Sequence, residues 1–157
     1  MRGCSFDKRE DAMDQAPIDI LYAEDSPADA EMTLRAFRKQ RLANKLIWVK
    51  DGEEALHYLF REGAFANRPA GNPNLVLLDL KMPKVNGLEV LQRIKGSSEL
   101  KSIPVVMLTS SAEDTDIAKA YELGVNSYIV KPVGFDNFSE IVLGLGMYWM
   151  VSNRAPT

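Results

Sequence analysis

Four apolar runs in this sequence each end in a charged or hydroxyl residue or are followed directly by one. Asp79 follows the run 75–78, and Glu24 and Asp25 follow the largely apolar run 18–23. Thr109 ends the run 105–109, and Lys131 ends the run 127–131. Carboxylates bind small divalent cations such as Mg²⁺, and a carboxylate beside an ammonium and a hydroxyl is suited to attack a phosphoryl group. The set indicates metal-assisted phosphoryl chemistry, with Asp79 as the nucleophile.

The apolar runs predict strands, and the segments between them predict helices. Strands are expected at 18–23, 45–50, 105–109 and 127–131, and in the run that begins at Leu75 and has Asp79 at its carboxyl end; the last of five helices is expected at 136–150. Crossovers of this length require parallel pairing with right-handed connections. The predicted fold is therefore an α/β three-layer sandwich, a flavodoxin-like doubly wound (βα)5 sheet. Strand order 2-1-3-4-5 is favoured because it brings the polar strand ends together.

Composition predicts one domain, residues 18–151, between an N-terminal tail 1–17 and a C-terminal tail 152–157. Of the 157 residues, 46% are hydrophobic and 26% charged, which is usual for a globular protein. The net charge of -3 gives no general attraction to nucleic acid or to an anionic membrane. Cys4 is the sole cysteine, which excludes an intrachain disulfide and favours a reducing compartment, so we expect a cytoplasmic protein.

Taken together, the motifs resemble the receiver domain of two-component response regulators. The resemblance runs from about residue 18 to 150 and is carried by Glu24-Asp25, Asp79 in Leu-Leu-Asp-Leu-Lys-Met-Pro, Asn86-Gly87, Thr109-Ser110, Tyr128 and Lys131-Pro132. It implies that Asp79 accepts a phosphoryl group from a phosphohistidine of a sensor histidine kinase. It also implies that Asp25, Asp79 and the Lys81 backbone carbonyl bind Mg²⁺, or alternatively Mn²⁺, with Glu24 assisting through water.

The resemblance also implies a conformational switch and a control on the lifetime of the phosphoryl group. Phosphorylation would draw the Thr109 hydroxyl inward, Lys131 would bind the phosphoryl oxygens, and Tyr128 would rotate into the vacated space. Receivers control hydrolysis through the positions occupied here by Lys81 and Ser111. Neither side chain has a carboxylate or amide to orient an attacking water, so we predict slow self-dephosphorylation.

Residues 141–151 are apolar on nearly all sides, whereas a helix on an outer layer usually has one polar face. The segment is too short to span a bilayer, so its exposed side is expected to contact protein or to be covered by the chain itself. The predicted contact residues are Val142, Leu145, Tyr148 and Trp149. Such a surface resembles the helix 4, strand 5, helix 5 face through which receivers form homodimers.

Three further features are the long loop 62–74, the segment Asn126-Ser127-Tyr128-Ile129 and the ending Tyr148-Trp149. They resemble the small regulators paired with bacterial phytochrome-type kinases, so a bacteriophytochrome is the expected kinase. Since the sequence ends at Thr157, we expect a stand-alone regulator, not a turnover enzyme, that signals by contact with an unidentified downstream protein. Two alternatives remain open. One is a Mg²⁺-dependent phosphohydrolase, although such sites generally have a second acid where this chain has Lys81. The other is a pseudo-receiver adaptor that is not phosphorylated.

Overall fold

The computed structural model describes residues 18–40, 43–69 and 71–131. Strands and α-helices alternate along them: β1 (Ile18–Ala23), α1 (Pro27–Gln40), β2 (Ala43–Val49), α2 (Gly52–Phe60), β3 (Leu75–Leu78), α3 (Gly87–Lys95), β4 (Val105–Thr109), α4 (Asp114–Glu122) and β5 (Ser127–Val130). The two predicted tails, the helix at 136–150 and the contact residues Val142, Leu145, Tyr148 and Trp149 lie outside the described residues.

The five strands form one parallel sheet in the order β2-β1-β3-β4-β5, which confirms the predicted topology. In this register Ala23 pairs with Leu78, so the residues that follow them, Glu24 and Asp79, emerge side by side. Thr109 pairs with Val130 in the same way at the other side of β4, directly before Lys131. The polar strand ends therefore meet at one edge of the sheet, as the strand order predicts.

Both faces of the sheet are covered by helices, which gives the three predicted layers. One face packs on α2, α3 and α4 through a cluster that includes Leu59, Leu91 and Ala120. The other face packs on α1 through Ala36 and Phe37. The strands of a parallel sheet buried on both faces are expected to be apolar throughout, and all residues of β3 and β4 are buried.

Two predicted strands differ slightly from the structure at their ends. β2 begins at Ala43, two residues before the predicted start, because Ala43 already pairs with Ile18 of β1, and it ends at Val49, one residue before the predicted end. β5 ends at Val130, which leaves Lys131 just beyond the strand. Within the described residues, no helix combines the length and apolar character needed to cross a membrane.

A long loop precedes β3, and its described residues include a short 3-10 turn, Gly63–Phe65. Arg68 supports this loop at the opposite edge of the sheet from the polar strand ends. Its Nε donates to the backbone oxygen of Tyr58 at 2.6 Å, and its guanidinium lies 4.2 Å from the centre of the Tyr58 ring. The loop is thus anchored on α2, away from the residues discussed below.

Candidate functional site

Three carboxylates meet where β1 and β3 end. Glu24, Asp25 and Asp79 each place one oxygen so that the three oxygens lie within 4.8 Å of one another. Glu24 and Asp79 are buried, whereas Asp25 is exposed to solvent. The structure therefore brings together the three acids that the sequence predicts for the metal site, with an opening to solvent on the side of Asp25.

The negative charge in this cluster is only partly compensated, and Glu24 shows the effect. The pKa of Glu24 is raised to about 7: burial is the largest cause, the hydrogen bond from Lys131 opposes it, and the negative charge of Asp79 adds to it. Its carboxylate also accepts hydrogen bonds from the Tyr22 hydroxyl at 3.2 Å and the Ser26 amide at 3.2 Å. Glu24 is held firmly in place while close to a second buried carboxylate.

Lys131 lies in the same cluster but contacts two carboxylates other than Asp79. Its Nζ donates to Oε1 of Glu24 at 2.8 Å and to Oδ2 of Asp29 at 2.7 Å. Burial alone lowers the pKa of the Lys131 ammonium, but the bonds to Asp29 and Glu24 and the charge of Asp79 outweigh burial and raise it. Lys131 is therefore a charged, buried lysine at the predicted phosphoryl-binding position.

Asp29 is the member of the site that the sequence reasoning missed. Ser26 caps α1 by accepting a hydrogen bond from the Asp29 amide at 3.3 Å, which places Asp29 in the first turn of the helix. An acid in the first turn is common because it interacts favourably with the helix dipole. The sequence therefore explains Asp29 as part of the helix start and does not indicate its contact with Lys131. The spacing from the acidic pair to the helix start, Glu24-Asp25-Ser26-Pro27, is the signal that could have suggested it.

The loop after β3 fixes the position of Asp79. Asn86 caps α3 in a capping box with Glu89, and a Cβ at Gly87 would overlap the Asp79 carbonyl oxygen, so only glycine allows this close approach. Lys84 has a φ of 70°, in the left-handed region, and the residues on either side of it are joined by a hydrogen bond from the Val85 amide to the Pro83 carbonyl. The Asn86-Gly87 pair thus begins α3 against the backbone of the residue proposed to react.

Hydroxyl groups occupy the other side of the site, at the ends of β4 and β5. Thr109 is buried, and its Oγ1 accepts the Ser111 amide at 3.4 Å. The Ser111 hydroxyl donates to Oδ2 of Asp116 on α4 at 2.6 Å, a contact that the sequence did not indicate. The Ser111 hydroxyl is therefore bonded to α4. Lys81, at the other position that controls hydrolysis of the phosphoryl group in receivers, has an exposed side chain.

Tyr128 connects β5 to the same loop. Its hydroxyl donates to the Ser111 backbone carbonyl at 3.0 Å, and its ring is half-buried against the larger core cluster. Burial raises the pKa of Tyr128, and the negative charges of Asp116 and Asp79 add to the effect. The predicted switch pair is thus linked through Ser111, because Thr109 and Tyr128 each bond to the backbone of that residue.

The donor set fits a small divalent cation. Carboxylate oxygens are the ligands that such cations prefer, and the raised pKa of Glu24 indicates negative charge that a cation would compensate. Together with Lys131 and Thr109, the site can hold an anionic group beside the Asp79 carboxylate.

Comparison with known proteins identifies the family. The sequence profile of the response regulator receiver domain matches residues 20–143. The chain belongs to this family. The receiver is 43% identical over 141 residues to the probable methanogenesis regulatory protein FilR2 of Methanothrix harundinacea, covering 89% of the chain and 88% of FilR2. It is 38% identical over 140 residues to response regulator Rcp1 of Synechocystis, covering 89% and 94% of the two chains.

Solved structures of phytochrome response regulators share the fold of this receiver. The phosphorylated cyanobacterial regulator RcpA superposes with a TM-score of 0.80 at 39% identity, covering 90% of this chain and 100% of RcpA. The bacteriophytochrome regulator AtBRR is 54% identical with a TM-score of 0.71, covering 85% and 95%. A Mn²⁺-bound form of Rcp1 has a TM-score of 0.77 at 38% identity and covers 90% and 98%. The protein is a receiver-domain response regulator similar to these phytochrome regulators, and such regulators are signalling proteins.

Proposed function

We propose that this receiver accepts a phosphoryl group on Asp79 from a sensor histidine kinase. The observation that carries the proposal is the meeting of Glu24, Asp25 and Asp79 within 4.8 Å beside the buried Lys131. Membership of the receiver family supports it, as does the phosphorylated state of the similar regulator RcpA. The proposed signal is stoichiometric, because each chain takes up one phosphoryl group on its own Asp79.

In the proposed transfer, one Asp79 carboxylate oxygen attacks the phosphorus of the phosphohistidine. A phosphorus–oxygen bond forms as the phosphorus–nitrogen bond breaks, and the bonding electrons return to the imidazole nitrogen. The product is an acyl phosphate on Asp79 and a histidine restored on the kinase. Lys131 and the Thr109 hydroxyl donate to the phosphoryl oxygens, on which negative charge accumulates.

Asp25 and Asp79 would hold the divalent cation, with the Lys81 backbone carbonyl as a further ligand and Glu24 assisting through water. When bound, Mg²⁺ neutralises charge on the carboxylates and on the phosphoryl oxygens. Mn²⁺ prefers similar oxygen ligands and is the alternative, which the Mn²⁺-bound form of Rcp1 supports. The exposure of Asp25 leaves the cation a route from solvent.

We place this receiver downstream of a bacteriophytochrome in the cytoplasm. The similarity to AtBRR and RcpA, both phytochrome regulators, supports this assignment, while the similarity to FilR2 supports a methanogenesis-related pathway as the competing assignment. Phosphotransfer profiling against purified kinases of both classes separates them. Rapid transfer from a phytochrome kinase is expected, and exclusive transfer from another class would refute the assignment.

Labelling with a small phosphodonor tests the proposed chemistry without the kinase. Wild type with acetyl phosphate and Mg²⁺ should take up one phosphoryl group per chain, whereas Asp79→Asn should take up none. Asp114→Asn removes an exposed carboxylate from the first turn of α4 and is the matched control, expected to label normally. Continuous release of phosphate would indicate a phosphohydrolase, and no labelling of wild type would indicate a pseudo-receiver.

Slow self-dephosphorylation is proposed as a property of this site. The Ser111 hydroxyl is bonded to Asp116, and the Lys81 side chain points an ammonium rather than an acceptor toward solvent, so neither is suited to orient water for attack. The acyl phosphate should persist for many minutes, and Lys81→Asn, which introduces an amide acceptor, should shorten its lifetime. Decay of the labelled protein within seconds would contradict this.

We further propose that Thr109 and Tyr128 form the switch and that Val142, Leu145, Tyr148 and Trp149 form a homodimer surface that also contacts the downstream partner. The apolar run 141–151 in the sequence supports the surface. Sedimentation of the full chain tests it: Trp149→Asp should shift the protein toward monomer. A wild type that is strictly monomeric at high concentration, phosphorylated or not, would refute the homodimer.

A further inference from the structure

The resting position of Lys131 differs from the one needed to hold a phosphoryl group. Its two hydrogen bonds to described residues go to Glu24 at 2.8 Å and Asp29 at 2.7 Å, and among those residues none goes to Asp79. Asp79 acts on the ammonium through charge alone. Phosphorylation places new anionic oxygens on Asp79 that must compete for the same ammonium.

The two carboxylates that hold Lys131 are bound to the protein very differently. Glu24 is 1% exposed and also accepts hydrogen bonds from Tyr22 and Ser26, so it is fixed on three sides. The Asp29 side chain is 41% exposed, lies in the first turn of α1 and is outside the metal cluster. Water can replace Lys131 as the hydrogen-bond partner of Asp29 but has little access to Glu24. The bond from Lys131 to Asp29 is therefore the easier of the two to break.

We propose that Asp29 is a positioning residue that competes with Asp79 for the Lys131 ammonium and thereby restrains phosphorylation. The inference rests on the proposed phosphoacceptor function of Asp79. An ammonium has three N–H donors, two of which are committed in the resting site. Releasing the bond to Asp29 frees a second donor for the phosphoryl oxygens while Glu24 keeps the lysine in the site.

The decisive variant is Asp29→Asn, which keeps the side-chain shape and removes the charge that holds Lys131. Labelling by acetyl phosphate in saturating Mg²⁺ should be faster than in wild type, by up to about fivefold, which is the upper end of the range expected for losing one partly exposed ion pair. A purely structural role for Asp29 would give slower labelling or none. A gain in rate therefore distinguishes competition from loss of support.

Two further variants serve as controls. Asp29→Glu keeps the charge and should label no faster than wild type. Glu31→Gln removes a negative charge from an exposed position on the same helix and corrects for the general electrostatic effect on an anionic phosphodonor. Labelling of Asp29→Asn that is no faster than that of Glu31→Gln overturns the proposal.

A crystal structure of Asp29→Asn without a phosphodonor tests the same inference independently of phosphorylation. The Lys131 Nζ should lie within hydrogen-bond distance of the Asp79 carboxylate. If wild type fails to label, the proposed function fails, and the crystal structure alone then decides whether Asp29 holds Lys131 away from Asp79. A lysine that stays on Glu24 and the introduced amide, without approaching Asp79, overturns the proposal.

Discussion

The two sides of the site are built from different kinds of interaction. The acid half consists of Glu24, Asp25, Asp29, Asp79 and Lys131, in which ion pairs and like charges are packed at the ends of β1, β3 and β5. The hydroxyl half consists of Thr109, Ser111, Asp116 and Tyr128, which are joined by hydrogen bonds around the loop from β4 to α4. The first half depends strongly on charge, and the second depends mainly on geometry.

This difference suggests that the two halves respond to phosphorylation in different ways. Interactions among buried charges are large and respond to cations, protons and phosphoryl groups, so the acid half can sense a change of charge. The hydrogen bonds from Tyr128 and the Ser111 amide are individually modest, so the hydroxyl half can rearrange at low cost. The proposed switch requires both properties: a centre that responds to phosphorylation and a loop that rearranges in consequence.

The largest expected effect is on the acid half, through metal binding. Mg²⁺ at about one hundred times its dissociation constant should raise the free energy of unfolding by about 2.7 kcal/mol, because it binds only the folded state. Asp25→Asn should abolish most of this gain while changing the metal-free stability little, since Asp25 is exposed. Urea denaturation with and without Mg²⁺ measures it.

Glu31→Gln is the control for that measurement, because its exposed carboxylate lies on α1 outside the acidic cluster. It should keep the full response to Mg²⁺. An equal loss of response in Glu31→Gln and Asp25→Asn would show that the cation acts by general screening, and the contrast between the two halves would be weaker.

A second effect on the acid half is a dependence of stability on pH. The pKa of Glu24 is raised from 4.5 to about 7, so the folded state binds this proton more tightly than the unfolded state. In a chelator, the Glu24 contribution to the free energy of unfolding should therefore fall as pH rises from about 4.5 to about 7 and then level off. Urea denaturation across this range measures it.

Glu24→Gln isolates this contribution, because the amide keeps an oxygen that can accept from Lys131 and Tyr22 but does not titrate. The difference in unfolding free energy between wild type and Glu24→Gln should carry the pH dependence. If that difference is constant from pH 4.5 to pH 7, Glu24 is not the titrating group.

The smallest expected effect is on the hydroxyl half. Tyr128→Phe removes the hydrogen bond to the Ser111 carbonyl and keeps the packed ring, so the free energy of unfolding should fall by about 1 kcal/mol or less. The rate of Asp79 labelling should stay close to that of wild type. Urea denaturation and acetyl phosphate labelling measure the two quantities.

Tyr121→Phe is the matched control, because Tyr121 is 51% exposed on α4. It should leave both quantities unchanged. A loss of labelling in Tyr128→Phe as large as that caused by a substitution in the acid half would end the proposed division between the two halves.

The order of the elements was predictable because local chemistry specifies it. Apolar runs of strand length and the short crossovers between them led to the correct parallel sheet. The same pattern predicted which side chains emerge at the edge of the candidate site, since the residue after a buried strand must surface there. The positions of Asp79, Glu24 and Asp25 at this edge were therefore predicted from the sequence alone.

Which side chains within the site bond to one another could not be predicted from the sequence. Lys131 and Asp29 are separated by 102 residues, and nothing local in the sequence shows that α1 begins close enough to β5 for the two to bond. The bond between Ser111 and Asp116 was missed for a related reason, because both residues have ordinary local roles in a loop and a helix turn. Backbone periodicity places side chains on elements, but distances between their tips depend on how the elements pack.

The sequence by itself determined the strand order, the edge at which the polar residues meet and the acid proposed to react. Only the tertiary structure decided which carboxylates hold the Lys131 ammonium and which residue holds the Ser111 hydroxyl. The physical reason is that burial of apolar runs fixes the path of the backbone, whereas hydrogen bonds and ion pairs depend on positions to within a fraction of an ångström. Asp29 thus became part of the site only when α1 packed against the sheet.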